Sequence, residues 1–232
     1  MSSQRNSAIE LDNVGQSFES HQQQINLFKD VQFLIEQGQS YAITGPSGSG
    51  KSSLLMLASG LEQPTTGQVR HVNQGQYQAI SSLRAEIGFI FQQFHLLAEL
   101  SALNNVALPL KLRGDKHALS TAKQWLEHVG LGHRLDHKPS QLSGGEQQRI
   151  AIARALVFKP KFIFADEPTG NLDAKSATGI AELLFKCCSD NGAALVLVTH
   201  SQKLAARAQH QLNFEQGNCV WLKNEKRSEG HE

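Results

Sequence analysis

The 232-residue chain has few cysteines (three), few prolines (six) and a low aromatic content of 6%. Cys187, Cys188 and Cys219 are odd in number and two are adjacent, which argues against a disulfide framework and fits a reducing cytosol. Charge of one sign is also missing. The 22 Lys and Arg against 21 Asp and Glu leave a formal charge of +1, so no global field recruits nucleic acid or an anionic membrane, and no nucleic-acid partner is expected. The longest apolar run, "GAALVLVTH" at 192–200, is far short of the roughly 20 residues that cross a bilayer. The opening "MSSQRNSAIELD" has no apolar segment of the kind a secretory signal needs. Action at a membrane would therefore pass through a partner. Internal repeats, heptad runs and paired CxxC motifs are absent as well. His133 and His137 lie beside Gly132 and Pro139 in an expected loop and read as surface residues, not metal ligands.

What is present reads as α/β. Short runs rich in β-branched and aromatic residues predict strands at 8–11, 31–36, 40–44, 69–72, 87–91, 162–165 and 194–198. The last two are almost wholly apolar, as for strands covered on both faces of a parallel sheet. Helical patterns run about 51–60, 102–112, 119–129, 145–157, 174–189 and 201–208, and residues 93–157 hold no strand pattern. We expect a single domain over 1–232. Its sheet-based core would span about 7–92 and 158–222, with an inserted helical subdomain at about 93–157 and a polar tail at 223–232. The Gln-rich "FESHQQQIN" at 18–26 reads as an exposed hairpin loop.

Gly45-Pro46-Ser47-Gly48-Ser49-Gly50-Lys51-Ser52 fits G-x-x-x-x-G-K-[ST], follows the predicted strand "SYAIT" and precedes the helical "SSLLMLASG". Glycines there let backbone N–H groups turn inward around phosphates, and a helix N-terminus adds partial positive charge. Lys51 would reach the β- and γ-phosphates and Ser52 would ligate Mg²⁺. Asp166 and Glu167 stand where the strand "FIFA" ends, the place where parallel sheets hold ligands. An Asp there can hold Mg²⁺, and a Glu can orient or deprotonate an attacking water. Alone, the pair would read as a helix cap or a solvated loop; beside a phosphate loop the catalytic reading is favoured. His200 ends the strand "ALVLVT" and either donates to a phosphate oxygen or is a capping or core histidine. Gln92, after "IGFIF", could ligate Mg²⁺ or contact the water.

The stretch "LSGGEQQR", Leu142 to Arg149, looks like a second anion site. Ser143-x-x-Glu146 is a capping box, S-x-x-E, opening a helix. That does not explain Gly144 and Gly145, each costing about 1 kcal/mol of helix propensity relative to Ala. Glycines at a helix opening admit a ligand close to the backbone. The inserted helices would carry Ser143 away from the first cradle, which points to an anion held by another copy of the chain.

Taken in order, "GPSGSGKS", "FIFQQ", "LSGGEQQR", "FIFADEPTGNLD" and "VTH" resemble the motifs of the ATP-binding cassette (ABC) ATPases, over about residues 8–222. The resemblance implies a P-loop, RecA-like core with an antiparallel β subdomain and an inserted helical subdomain. It implies that residues 45–52 and Ser53 bind ATP, that Phe18 stacks on adenine, and that Gln92 is the Q-loop glutamine. Ser52, Gln92 and Asp166 would hold Mg²⁺, with Glu167 as catalytic base, and His200 and Lys51 stabilising charge. Ser143, Gly144, Gly145, Glu146 and Gln147 would be the signature facing the other protomer's ATP, and Asn171-Leu172-Asp173 the D-loop. It further implies a homodimer, an integral membrane permease as partner, and a place on the inner face of the plasma (inner) membrane. "QQFHLLAELSALNNVALPLKLRG" and "ADEPTGNLD" are similar to a branch with LolD-like lipoprotein-release, MacB-like efflux and YbbA-type subunits. The expected work is therefore extraction or export of lipoproteins, lipids or hydrophobic compounds. FtsE-like cell division and soluble ABC ATPases are the alternatives. Three positions depart from the usual pattern: Phe18 where Tyr is frequent, Ser53 where Thr is commoner, and Ala98 where many relatives have Pro. The last bears on the surface that meets a permease.

Overall fold

The computed structural model describes residues 7–20, 23–215 and 218–224. Strands β1 (Ala8–Ser20), β2 (Gln23–Glu36), β4 (Thr66–Asn73) and β5 (Gln76–Ala79) form an antiparallel sheet in the order β2-β1-β4-β5. A second sheet has the order β10-β9-β3-β8-β7-β6, built from β3 (Ser40–Thr44), β6 (Ile87–Ile90), β7 (Phe162–Asp166), β8 (Ala194–Val198), β9 (His210–Glu215) and β10 (Asn218–Asn224). Its pairings are parallel except for the antiparallel β9–β10 edge. From Phe162 to Ala165 and from Ala194 to Val198 no residue exceeds 1% exposure, which is why these two strands are written in apolar letters without alternation.

One face of the six-stranded sheet packs on the antiparallel sheet and on α1 (Lys51–Ala58), through Ile9, Ile35, Leu54, Leu57, Phe164 and Phe214. The other face is covered by α4 (Gly144–Leu156), α5 (Ala174–Asp190) and α6 (Gln202–Ala205), with Ile152, Leu156, Ile180, Leu184 and Leu204 buried between them. A third cluster joins α2 (Ala102–Leu112), α3 (Ala118–His128) and the far side of α4 through Val106, Leu126 and Ile150. Helix α4 is thus buried on two sides, so its N-terminus is fixed relative to both the sheet and the outer helices.

The structure corrects several sequence expectations. Residues 18–26 are not one polar loop: β1 runs to Ser20, β2 resumes at Gln23, and Phe18 pairs with Ile25; only 21–22 lie outside the described residues. Backbone pairing in a two-stranded arm needs no apolar alternation, so a strand can hide in polar sequence. The pattern at 201–208 yields only the short α6, after which the chain turns into β9. Strands β5, β9 and β10 lie outside the strand patterns of the sequence. Lys223 and Asn224 of the expected polar tail belong to β10, and 225–232 lie outside the described residues.

The sheet order decides where chemistry can occur. Strands β3, β8, β7 and β6 are consecutive neighbours and parallel, so the loops leaving their carboxyl ends lie side by side. Those ends carry residues 45–50, His200, Asp166 as the last residue of β7 with Glu167 after it, and Gln92.

Candidate functional site

The loop between β3 and α1 begins at Gly45 and ends at Gly50, both at positive φ. Gly45 has φ +144°, and a Cβ placed there would lie 2.0 Å from the carbonyl oxygen of Phe214, so no side chain fits. Gly50, at φ +94°, precedes α1 and provides no side-chain cap, leaving the first amides of the helix for an outside acceptor. Lys51 is only 5% exposed, and its Nζ donates to the carbonyl of Pro46 at 2.6 Å and to Ser49 Oγ at 3.4 Å. Burial lowers its pKa, while Glu167 and Asp166 act in the opposite direction.

These elements meet in a cleft. Ser47, Gly48, Gly50, Lys51, Ser52 and Ser53 form one wall, and Gln92, Asp166, Glu167 and His200 form the other. Leu27 and Val198 complete it; neither carried a motif signal. Asp166 Oδ1 and Glu167 Oε1 are buried without a hydrogen-bond partner. Buried carboxylate oxygens without donors, next to a serine hydroxyl and a glutamine amide, are a donor set for a hard cation such as Mg²⁺. Among the described residues no cluster of three or more His, Cys, Asp or Glu could hold a metal without such help. His200 Nε2 lies 3.3 Å from Glu167 Oε1, at ion-pair distance but without hydrogen-bond alignment. Burial raises the pKa of Glu167; His200 works against that shift and Asp166 adds to it. Glu167 itself sits at φ +46°, a left-handed conformation unusual for a long side chain.

The family model described as ABC transporter matches residues 28–170. The chain belongs to the ABC transporter family. As a member it is an ATPase cassette, the ATP-binding component of a transporter. It is 45% identical over 216 residues to the lipoprotein-releasing system ATP-binding protein LolD of Shewanella oneidensis, covering 90% of this chain and 94% of that protein. To LolD of Shewanella denitrificans it is 50% identical over 195 residues, 81% and 84% of the two chains. To the uncharacterized ABC transporter ATP-binding protein YbbA of Escherichia coli K12 it is 44% identical, covering 90% and 95%. Among solved structures, the dimeric cassette MJ0796 superposes with a TM-score of 0.81 at 36% identity, over 93% of this chain and 99% of that one. A post-hydrolysis state of the same cassette, bound to ADP and Pi, gives 0.80 at 34%.

The remaining motif residues of this ABC cassette lie outside the cleft. Phe18 is 47% exposed on β1 and does not line it. Ser143 caps α4: its Oγ accepts from the amide of Glu146 at 3.3 Å, and the carboxylate of Glu146 accepts from the Ser143 amide at 2.8 Å. The capping box is therefore real. Glu146 is also paired with Arg134 at 3.1 Å, and its pKa is lowered first by the Ser143 backbone bond. The side chain of Gln147 donates to the carbonyls of Pro139 and Leu142. Gly144 and Gly145 stand in ordinary helix, where an added Cβ would meet Leu172 at 3.4 Å and Ser176 at 3.6 Å, normal contacts. Nothing within one chain requires glycine there. Asp173 caps α5 by accepting from the amides of Lys175 and Ser176. Sequence reading missed Arg154, whose guanidinium donates to the carbonyls of His95 and Phe94 at 2.7 and 3.0 Å and ties α4 to the loop after Gln92.

Proposed function

We propose that two copies of this cassette close on two ATP molecules and, on opening after hydrolysis, drive a membrane permease in lipoprotein, lipid or hydrophobic-compound extraction. The observation that carries this reading is the opening of α4. Ser143 and two glycines that the chain's own packing does not need stand outside the cleft, which supports reading them as half of an anion site. The dimeric form of MJ0796 and the kinship with LolD support a homodimer and a membrane partner. No helix among the described residues is long and apolar enough to cross a membrane, so attachment at the inner face of the membrane falls to the permease.

In this reading residues 45–53 wrap the phosphates with backbone amides and Lys51, and Phe18 stacks on adenine. Ser52, Asp166 and Gln92 would hold Mg²⁺, which neutralises phosphate charge when bound. Glu167, a stronger base for its burial, takes a proton from the attacking water, and His200, at ion-pair distance from that carboxylate, donates to the γ-phosphate. Ser143, Gly144 and Gly145, with Glu146 and Gln147 behind them, close over the partner's γ-phosphate, and Asp173 stands beside that interface. Interactions made only in the closed dimer act on the transition state and raise turnover.

The test is purification from detergent-solubilised membranes followed by reconstitution. An integral membrane protein should co-purify, raise ATP turnover, and extract a lipid-modified protein from vesicles only with hydrolysable ATP. Nucleic acid in place of a membrane partner would overturn it.

A further inference from the structure

Gln92 and Asn171 are 79 residues apart in sequence, yet their amides are paired. Asn171 Nδ2 donates to the backbone carbonyl of Gln92 at 3.0 Å, and Gln92 Nε2 donates to Asn171 Oδ1 at 3.4 Å. A second observation fixes the same spot. The Cβ position of Gly170 would lie 3.1 Å from Gln92 Nε2, 3.4 Å from the carbonyl of Glu167 and 3.5 Å from Glu167 Cβ. The Gly170 amide in turn donates to that Glu167 carbonyl at 3.0 Å. The Gln92 amide thus rests in a notch formed by residues 167–171, with Glu167 on its far side.

We propose that Asn171 is a positioning residue: it holds the Gln92 amide facing the cleft beside Glu167, and Gly170 leaves the room for it. The inference rests on the role given to Gln92 in the proposed function. The physical reason is conformational freedom. Gln92 is exposed and follows a strand end, so its side chain would otherwise be spread over several rotamers. One bond to its backbone and one to its amide fix both ends of that side chain. A tight turn at Glu167 (φ +46°) brings the residues 170–171 back to where they can do so.

A double-mutant cycle on the full-length cassette tests this. Asn171→Ala should lower kcat about fivefold, leave the KM for ATP within about twofold, and raise severalfold the free Mg²⁺ needed for half-maximal rate. Its melting temperature should not move, because the pair is exposed. In a Gln92→Ala background the same change should alter kcat by less than about twofold. Gly170→Ala, which crowds the Gln92 amide, should behave as Asn171→Ala does in both backgrounds. An equal loss in both backgrounds would overturn the proposal, since Asn171 would then act by contacts of its own. Wild-type rates for Asn171→Ala with a slow Gln92→Ala would overturn it while leaving the role of Gln92 intact. Wild-type rates and Mg²⁺ dependence for Gln92→Ala would overturn both.

Discussion

The chain has two glycine-rich openings onto helices, and they differ in why the glycines are there. At residues 45–50 the backbone itself demands them: Gly45 is at φ +144°, and a Cβ would strike the Phe214 carbonyl at 2.0 Å. At Gly144 and Gly145 the backbone is helical and an alanine would fit. The first opening is complete within one chain and faces carboxylates, a histidine and a glutamine. The second faces none of them. A glycine that folding explains says little about ligands, whereas a pair that folding does not explain points to something approaching from outside.

The largest expected effect comes from removing the carboxylate proposed as the base, Glu167. Glu167→Gln should lower turnover about 10³-fold while ATP binding persists, measured by steady-state hydrolysis and nucleotide binding. With hydrolysis stopped, ATP should remain bridging the two openings. Next, Gly45→Ala should cost about 3 kcal/mol of folding stability, read from denaturant melts, because strain and clash coincide. Gly145→Ala sharpens the contrast: it should stabilise the isolated chain by about 0.5 kcal/mol yet impair turnover in the same preparation. A destabilised Gly145→Ala would erase the difference between the two openings.

The smallest effect concerns pH. Burial raises the pKa of Glu167, so the acid limb of kcat/KM should lie above the ordinary carboxylate range and vanish in Glu167→Gln. The same shift bears on stability. Between the unfolded and the higher folded pKa, the folded chain binds more protons, so stability falls as pH rises through that window and stays lower above it. Glu167→Gln should therefore melt slightly higher than wild type at neutral pH without nucleotide.

Features were legible in the sequence where they are local or continuous. Residues 45–52 are contiguous, and β7 and β8 are unbroken apolar runs because both faces are covered. Strand β9 was missed because its first buried position is the polar His210, which leaves only Leu212 and Phe214 to mark the alternation, too short a run to stand out. β5 has no buried position to reveal it. The Gln92–Asn171 pair and the Arg154 tie to Phe94 and His95 are contacts across 79, 60 and 59 residues, and no spacing rule encodes them. The capping box at Ser143 was legible, because Ser143 and Glu146 are three residues apart and cap the same helix end.

The most direct test of the second opening is the mass of the protein in solution. Glu167→Gln with ATP should sediment as a dimer and without nucleotide as a monomer. Adding Ser143→Arg should keep it monomeric at saturating ATP, with ATP affinity unchanged within a few-fold. A dimer that forms undiminished with Ser143→Arg, or a Ser143→Arg single variant that hydrolyses ATP at the wild-type rate, would mean that Ser143 only caps its helix.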